Sequence, residues 1–430
     1  MRILHFADLH IGVETHGRPA TLEDLAALPD SFAPGLDRER TYTGMSTRLL
    51  DFLAAFDALV DFAIRERVDL VLFSGDAYKS RNPTQTHQRE FARRIARLTS
   101  AGIPVFLLTG NHDMPHAPGL ATALDIFPTL SHPLVHVADT LRLHSVQTTS
   151  GPIQVISLPW IRRSALLASE DARSLSPDAL RRHIEDRITH RLQDAASALD
   201  PSIPAVVAAH VTVQGATVGT EQSMMLTQDH VLMPSALALP GVDYVALGHI
   251  HRHQPISQRP PMVYPGSLQR VDFSEEDDEK GFCLVELNAS EPPGQRVRWE
   301  FVPVPARPFL TIDVQIDQGE DPTQRALQAV AQRVVRDAIV RLRIRLTQDQ
   351  AAALNDRAIH QALKEAHSVA GVHREIVRER RPRWESISTT TSPFEALELY
   401  LRQQEKADPA IRELALRKGR QLIDELSKPD

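Results

Sequence analysis

The stretch Val105-Phe106-Leu107-Leu108-Thr109-Gly110-Asn111-His112-Asp113 decides the fold class. Five apolar or β-favouring residues end at a glycine, and an amide, an imidazole and a carboxylate follow at once. A run this short, closed by glycine, reads as a buried strand that delivers polar side chains at its carboxyl end. The same arrangement recurs on both sides of it. Ile3–Ala7 leads into Asp8-Leu9-His10, Leu70–Ser74 into Gly75-Asp76, Ala205–Ala209 into His210, and Tyr244–Leu247 into Gly248-His249-Ile250-His251; Val155–Leu158 is a further strand. Between the first two strands Leu49, Leu53, Phe56, Val60 and Ala63 repeat at helical spacing. A second helix is predicted after Asn82-Pro83, with Thr84 as its cap. Strands alternating with helices predict an α/β layered core of β-sheets flanked by helices. In open α/β sheets, ligand sites form where loops leave the carboxyl ends of strands. All five motifs fall there.

The residue types then specify the chemistry. Imidazole, carboxylate and one amide, without thiolate, suit borderline-to-hard divalent ions such as manganese or iron better than a structural zinc. The chain's single cysteine, Cys283, excludes a Cys-rich zinc site and any intrachain disulfide. In extended chain, residues i and i+2 project to the same side, so Asp8 with His10, and His249 with His251, are expected to share a cavity. The seven residues Asp8, His10, Asp76, Asn111, His210, His249 and His251 are too many for one ion but enough for two with a shared carboxylate. Two ions about 3.5–4 Å apart suit phosphate-ester hydrolysis, because attacking and leaving oxygens can both be clamped and a water acidified. Singly the motifs carry little, since Gly-Asp after a strand is more often a turn than a ligand. Their concurrence at five strand ends points to a two-metal phosphoesterase.

At 430 residues the chain exceeds one compact core, so two or three domains are expected. Pro303-Val304-Pro305-Ala306-Arg307-Pro308 reads as a boundary. Beyond it come strand Phe309–Ile316, a helix near Thr323–Val335, strand Ile339–Leu346, a helix near Asp356–Ala366 and strand Val372–Val377. The expected organisation is a core over 1–305, a small α+β cap domain over 306–384, and a linker with a helical tail over 385–430. Residues 13–45, with Pro19, Pro29 and Pro34, read as an inserted surface loop near the site mouth. Glu275-Glu276-Asp277-Asp278-Glu279 reads as a solvated turn, because like charges in a row repel and stay hydrated. Arg378, Arg380, Arg381 and Arg383 form a basic cluster that suits either a DNA-backbone contact or a solvated loop. The net charge of -7 neither supports nor excludes nucleic acid, since a nuclease needs a local basic path rather than a basic total. No window reaches the roughly 18 apolar residues of a membrane span, and the N-terminus lacks the pattern of a signal peptide. A cytoplasmic protein without membrane association is expected.

As a set, the DxH, GD, GNHD, lone His and GHxH motifs resemble the calcineurin-like metallophosphoesterase superfamily. The run Tyr264–Phe282, YPGSLQRVDFSEEDDEKGF, together with the small domain and helical tail, is similar to its SbcD branch of DNA repair nucleases. That resemblance implies one metal held by Asp8, His10, Asp76 and His251 and a second by Asp76, Asn111, His210 and His249. Asp76 is then the bridge, His112 the catalytic imidazole at the leaving oxygen, and Asp113 a group that orients its neighbours. It also implies two divalent ions, manganese first among them, and exonuclease and endonuclease activity on DNA in double-strand-break repair. The implied partner is a coiled-coil SMC-like ATPase of the SbcC type docked by the C-terminal helices; a homodimer fits the same analogy. Two positions stand apart. Lys79 occupies a place where relatives often carry histidine or an acid, so it is either a phosphate contact or a surface lysine. Arg270, within the SbcD-like run, is either a substrate or a structural residue. Two other functions compete: a phosphoesterase of nucleotides or small phosphoesters, and a catalytically silent DNA-repair scaffold. The residues after 306 argue against the first, and the intact ligand set with His112 against the second.

Overall fold

The computed structural model describes residues 1–115, 117, 119–161, 176–219, 231–292, 295–377, 392–403 and 409–426. Its centre is a pair of six-stranded sheets. From edge to edge the first runs Val297–Pro303, Gly281–Leu287, Arg2–Phe6, Leu70–Phe73, Val105–Leu108 and Val135–Ala138. The last four strands are parallel, and the first two form an antiparallel edge. The second sheet runs Gln254–Gln258, Pro261–Tyr264, Tyr244–Gly248, Ala205–His210, Gly151–Leu158 and Arg142–Thr148, with four parallel strands between antiparallel edges.

Side-chain alternation explains the layering. Ile3, Leu70 and Leu72 of the first sheet share a core with Val206, Ala208, Tyr244 and Ala246 of the second. On the opposite face of the first sheet, Leu4, Phe6, Val71 and Phe73 join Leu53, Phe56 and Phe91 of the helices Thr47–Arg65 and Gln85–Ser100. Val207, Ala209, Val245 and Leu247 pack against Ile184, Ile188 and Leu192 of the helix Pro177–Ser197. Strands covered on both faces must be apolar throughout, which is why they read as continuous runs. His5 is an exception between the sheets. Its Nδ1 lies 3.1 Å from the Tyr244 hydroxyl and its Nε2 3.2 Å from the Leu247 carbonyl, and burial pushes its pKa down to about 3.

The 13–45 stretch is more than a surface loop. It forms the short helices Leu22–Ala26 and Arg38–Tyr42 and buries Leu25, Phe32, Ala33 and Tyr42 in the core of the first helical layer. Buried charge fastens it. Arg94 reaches Asp57 at 2.6 Å and Glu90 at 3.1 Å; the Tyr42 hydroxyl donates to Glu90 at 2.8 Å, and the Ala33 N–H to Asp57 at 3.1 Å. Removing one partner of a buried pair leaves an uncompensated charge, typically costing about 3–5 kcal/mol. Arg94→Ala is therefore expected to lower the denaturant midpoint, with a loss of unfolding free energy up to about that size, since Arg97 still pairs Asp57 and Arg93 still pairs Glu90. An unchanged midpoint would mean that this network is dispensable.

Beyond Pro308, a three-stranded parallel sheet of Phe309–Gln315, Ile339–Leu346 and Ser368–Ile376 is covered by the helices Pro322–Ala331, Gln348–Ala353 and Asp356–Ala362. It has its own core, including Ile312, Val314, Val330, Leu342, Ile344 and Ile359. The last strand begins four residues before the expected Val372, and Gln348–Ala353 is an added helix. Arg307 binds Asp51 of the core through two 2.6 Å contacts, and the Glu276 carboxylate accepts the Thr311 N–H and hydroxyl, each at 2.6 Å. The helices Pro393–Gln403 and Pro409–Leu426 pack on each other, with Arg420 over the Phe394 ring at 4.4 Å. Arg378, Arg380, Arg381, Arg383 and the linker 385–391 lie outside the described residues. No described helix is long and apolar enough to cross a membrane.

Candidate metal centre

The carboxyl ends of five parallel strands meet at one place. Asp8, Asp76 and Asn111 follow strands of the first sheet; His210 ends one strand of the second sheet and His249 follows another. The backbone there is left-handed, with φ of 51° at Asp8, 47° at His10, 63° at Asp76 and 96° at His249. Such conformations cost non-glycine residues on the order of 1–3 kcal/mol each and persist only where the surroundings enforce them. The expected i, i+2 alternation of extended chain is thus replaced by left-handed turns. Asp8 and His10 do reach one cluster, but for that different reason. Glycine is required beside them. A Cβ on Gly110 would lie 2.2 Å from Asp76 Oδ1, and one on Gly75, at φ 102°, only 2.3 Å from His210 Nδ1.

Asp113 ties the GD and GNHD loops together. Its buried carboxylate accepts the N–H groups of Asp76 at 2.9 Å, Gly110 at 3.0 Å and Ala77 at 3.0 Å. Burial and the neighbouring Asp76 push its pKa up to about 7. Around this clamp three groups of potential ligands form: Asp8, His10 and His251; His10, Asp76 and His112; and Asp76, His210 and His249. Within each group the ligand atoms lie within 4.8 Å of one another. Asn111 joins the last group, its Oδ1 at 2.9 Å from His210 Nε2 and 3.2 Å from His249 Nδ1. Asp76 faces both sides. Its Oδ2 is 3.4 Å from His210 Nε2 and 3.8 Å from His10 Nε2, while Oδ1 accepts the His112 N–H at 2.8 Å.

The electrostatics fit a cation at this cluster. Burial pushes Asp8 up to about 6 despite the pull of His210 and His251. Burial also opposes charge on Asp76 and on His210. There, however, the mutual attraction wins, holding Asp76 well below the usual carboxylate range and His210 up at about 9. His10 Nε2 and His251 Nε2 face each other at 2.9 Å, and His10 Nδ1 is buried with no hydrogen-bond partner among the described residues. Converging imidazole nitrogens, two carboxylates and an amide oxygen are the donors that divalent ions of the first transition row prefer.

Comparison with known proteins is decisive at the level of family. The model of the calcineurin-like phosphoesterases matches residues 1–253, which carry every one of these groups. The chain belongs to that family. It is 26% identical over 348 residues to the D component of the nuclease SbcCD from Rhodobacter capsulatus, covering 77% of this chain and 75% of that one. With the D component of the nuclease SbcCD from Bacillus subtilis it shares 24% over 305 residues, 70% of this chain and 69% of the other. The DNA double-strand break repair protein Mre11 of Aeropyrum pernix is 26% identical over 325 residues, 74% and 64% of the two chains.

In this calcineurin-like phosphoesterase the remaining expected residues fall in different places. His112 lies at the cluster, its ring 4.9 Å from that of His10, and its Nδ1 donates to the Lys79 carbonyl at 2.9 Å. That bond leaves Nε2 as the free imidazole nitrogen. Lys79 itself is exposed at the rim, so its carbonyl orients His112 while its side chain faces solvent. Arg270 is turned onto backbone carbonyls. Its guanidinium donates to the carbonyls of Glu275, Glu276, Asp278, Ala306 and Arg307, fastening the acidic turn to the start of the small domain.

Two contributors escape a sequence reading. Glu275 is 2% exposed, and its Oε1 accepts from His251 Nδ1 at 2.8 Å, which corrects the expectation of a fully solvated acidic turn. The available signals were Lys280 five residues on and Asp272, which caps the short turn Phe273–Glu275. Trp160, two residues beyond the strand Gly151–Leu158, packs on the His249 ring at 5.1 Å. A tryptophan after an apolar run gives no hint of that position.

Proposed function

We propose that the chain is a two-metal DNA nuclease, with exonuclease and endonuclease activity, that hydrolyses phosphodiester bonds in double-strand-break repair beside a coiled-coil SMC-like ATPase. The observation that carries this reading is Asp76, a buried carboxylate placed between two groups of ligands. One ion is assigned to Asp8, His10, Asp76 and His251 and the other to Asp76, Asn111, His210 and His249, with Mn2+ as the preferred metal. When bound, such a pair clamps the phosphate oxygens and acidifies a water. The chain's own groups do the rest. Asp8 and Asp76 offset the cationic charge, and Asp113 keeps the two loops in register. His112 presents Nε2 where it can protonate or stabilise the leaving oxygen. Lys79 is assigned a contact with a phosphate oxygen at the mouth of the site.

DNA as substrate is supported by the named nuclease and repair relatives and by the small domain fastened to the core through Arg307 and Asp51. Linear and hairpin DNA should be cut with Mn2+ and left intact with excess chelator. Cleavage of small phosphoesters but not DNA would overturn the nuclease reading. That second reading has one observation in its favour: a cavity of about 570 Å³ beside Trp160, lined also by Met114, Leu120, Asp139 and Arg191, is large enough for a nucleotide. The silent-scaffold reading is disfavoured by the intact ligand set.

The ATPase partner is supported by the C-terminal helices. Ile411, Leu414, Leu422 and Leu426 are exposed and lie along one side of the helix Pro409–Leu426. Replacing Ile411 and Leu422 together by Glu is expected to abolish co-purification with a co-expressed ATPase partner while leaving Mn2+-dependent cleavage by the isolated chain unchanged. Undiminished co-purification would remove this surface from the interface.

A further inference from the structure

His251 differs from His210 and His112 in what holds its far nitrogen. His210 Nδ1 donates to the Ser74 carbonyl at 2.7 Å and His112 Nδ1 to the Lys79 carbonyl at 2.9 Å. His251 Nδ1 instead meets a carboxylate, Glu275 Oε1, at 2.8 Å. That carboxylate is itself locked. Its Oε2 lies 2.6 Å from Lys280 Nζ and accepts from the Ser267 hydroxyl at 3.1 Å and the Val271 N–H at 3.2 Å. Lys280 Nζ also donates to the His251 carbonyl at 3.1 Å, so one buried ion pair grips this histidine by ring and by backbone.

A buried ion pair is weak evidence of added stability, since well-packed apolar residues usually do as well or better. A pair retained here needs another reason. A carboxylate on the far nitrogen of an imidazole fixes the tautomer, turns the unprotonated Nε2 toward the cluster and raises its strength as a donor. Lys280 Nζ, buried beside Glu275 at 2.6 Å, pairs with this carboxylate.

We propose that Glu275 is a positioning residue that, locked by Lys280, orients His251 and sets the affinity of the Asp8–His10–His251 position for its ion. The proposal rests on the two-metal reading. It adds that the two ions depend unequally on one residue that binds neither. The acidic turn after Arg270, by sequence a solvated loop, becomes part of the metal-binding apparatus.

The test is Mn2+ binding by equilibrium dialysis on the full chain, for the parent, Glu275→Gln, and Glu275→Gln combined with Lys280→Met. The double variant removes both buried charges and keeps the approximate shape, so no unpaired ammonium is left to disturb folding. The parent should bind two ions. In both variants one ion should weaken by about 10–100-fold, with the second within about threefold of the parent and the metal-free melting temperature preserved in the double variant. At limiting Mn2+ the electron paramagnetic resonance spectrum should change from that of a coupled pair to that of isolated ions. Two ions bound as tightly in the double variant as in the parent would overturn the proposal while leaving the two-metal reading in place. So would a loss of affinity seen only where the metal-free protein melts earlier, since that is the behaviour of a structural staple. Fewer than two ions in the parent would overturn both.

Discussion

In the Asp76→Asn variant, Mn2+ affinity is expected to fall by about a thousandfold or more, with DNA cleavage lost below detection. The replacement keeps the shape of the side chain and an oxygen able to accept the His112 N–H, now at 2.8 Å, so the loops should hold their places. What disappears is a negative charge between two ligand groups. A single unit-charge pair at 4 Å is worth about 4 kcal/mol at an effective dielectric of 20. With about 1.4 kcal/mol per factor of ten, that already gives roughly three orders of magnitude for one ion. Titration calorimetry with Mn2+ measures it directly. Parental affinity in the variant would show that Asp76 does not bridge.

His112→Ala should separate chemistry from metal binding. The His112 ring sits near His10, but its Nδ1 is held by the Lys79 carbonyl, outside the paired ligand groups assigned above. A positioned general acid typically contributes about 10²–10⁴-fold, and kcat for DNA cleavage should drop within that range. Metal stoichiometry and melting temperature should stay as in the parent. The alternative is concrete, because His112 also falls within ligand distance of His10 and Asp76. If the variant loses an ion together with its activity, His112 is a ligand rather than the proton donor.

Much of this arrangement was legible because parallel strands covered on both faces are apolar from end to end. Leu70–Phe73 and Ala205–His210 could hardly be read otherwise, and the polar residue closing each run marks the shared edge of its sheet. The antiparallel edges were less visible. Arg142–Thr148 and Val297–Pro303 carry charged and polar residues on their open faces, so their apolar signal is halved. The helix Pro177–Ser197 shows its core only through Leu180, Ile184, Ile188 and Leu192, a stripe one residue wide on a charged background. A shared carboxylate was readable, but the division of the histidines between two groups was not, because it depends on left-handed turns at Asp8, His10, Asp76 and His249 that no spacing rule encodes. Glu275 was hidden differently. A run of five acidic residues looks solvated until the fold supplies Lys280 and His251 as partners for one of them.

The central claim is that two ions share Asp76. Crystals equilibrated with MnCl2 and measured for anomalous scattering at the manganese edge test it without reference to any substrate. The account predicts two peaks about 3.5–4 Å apart. One should lie against Asp8, His10 and His251, the other against Asn111, His210 and His249, with Asp76 between them. A single peak, or two peaks without Asp76 between them, would contradict it.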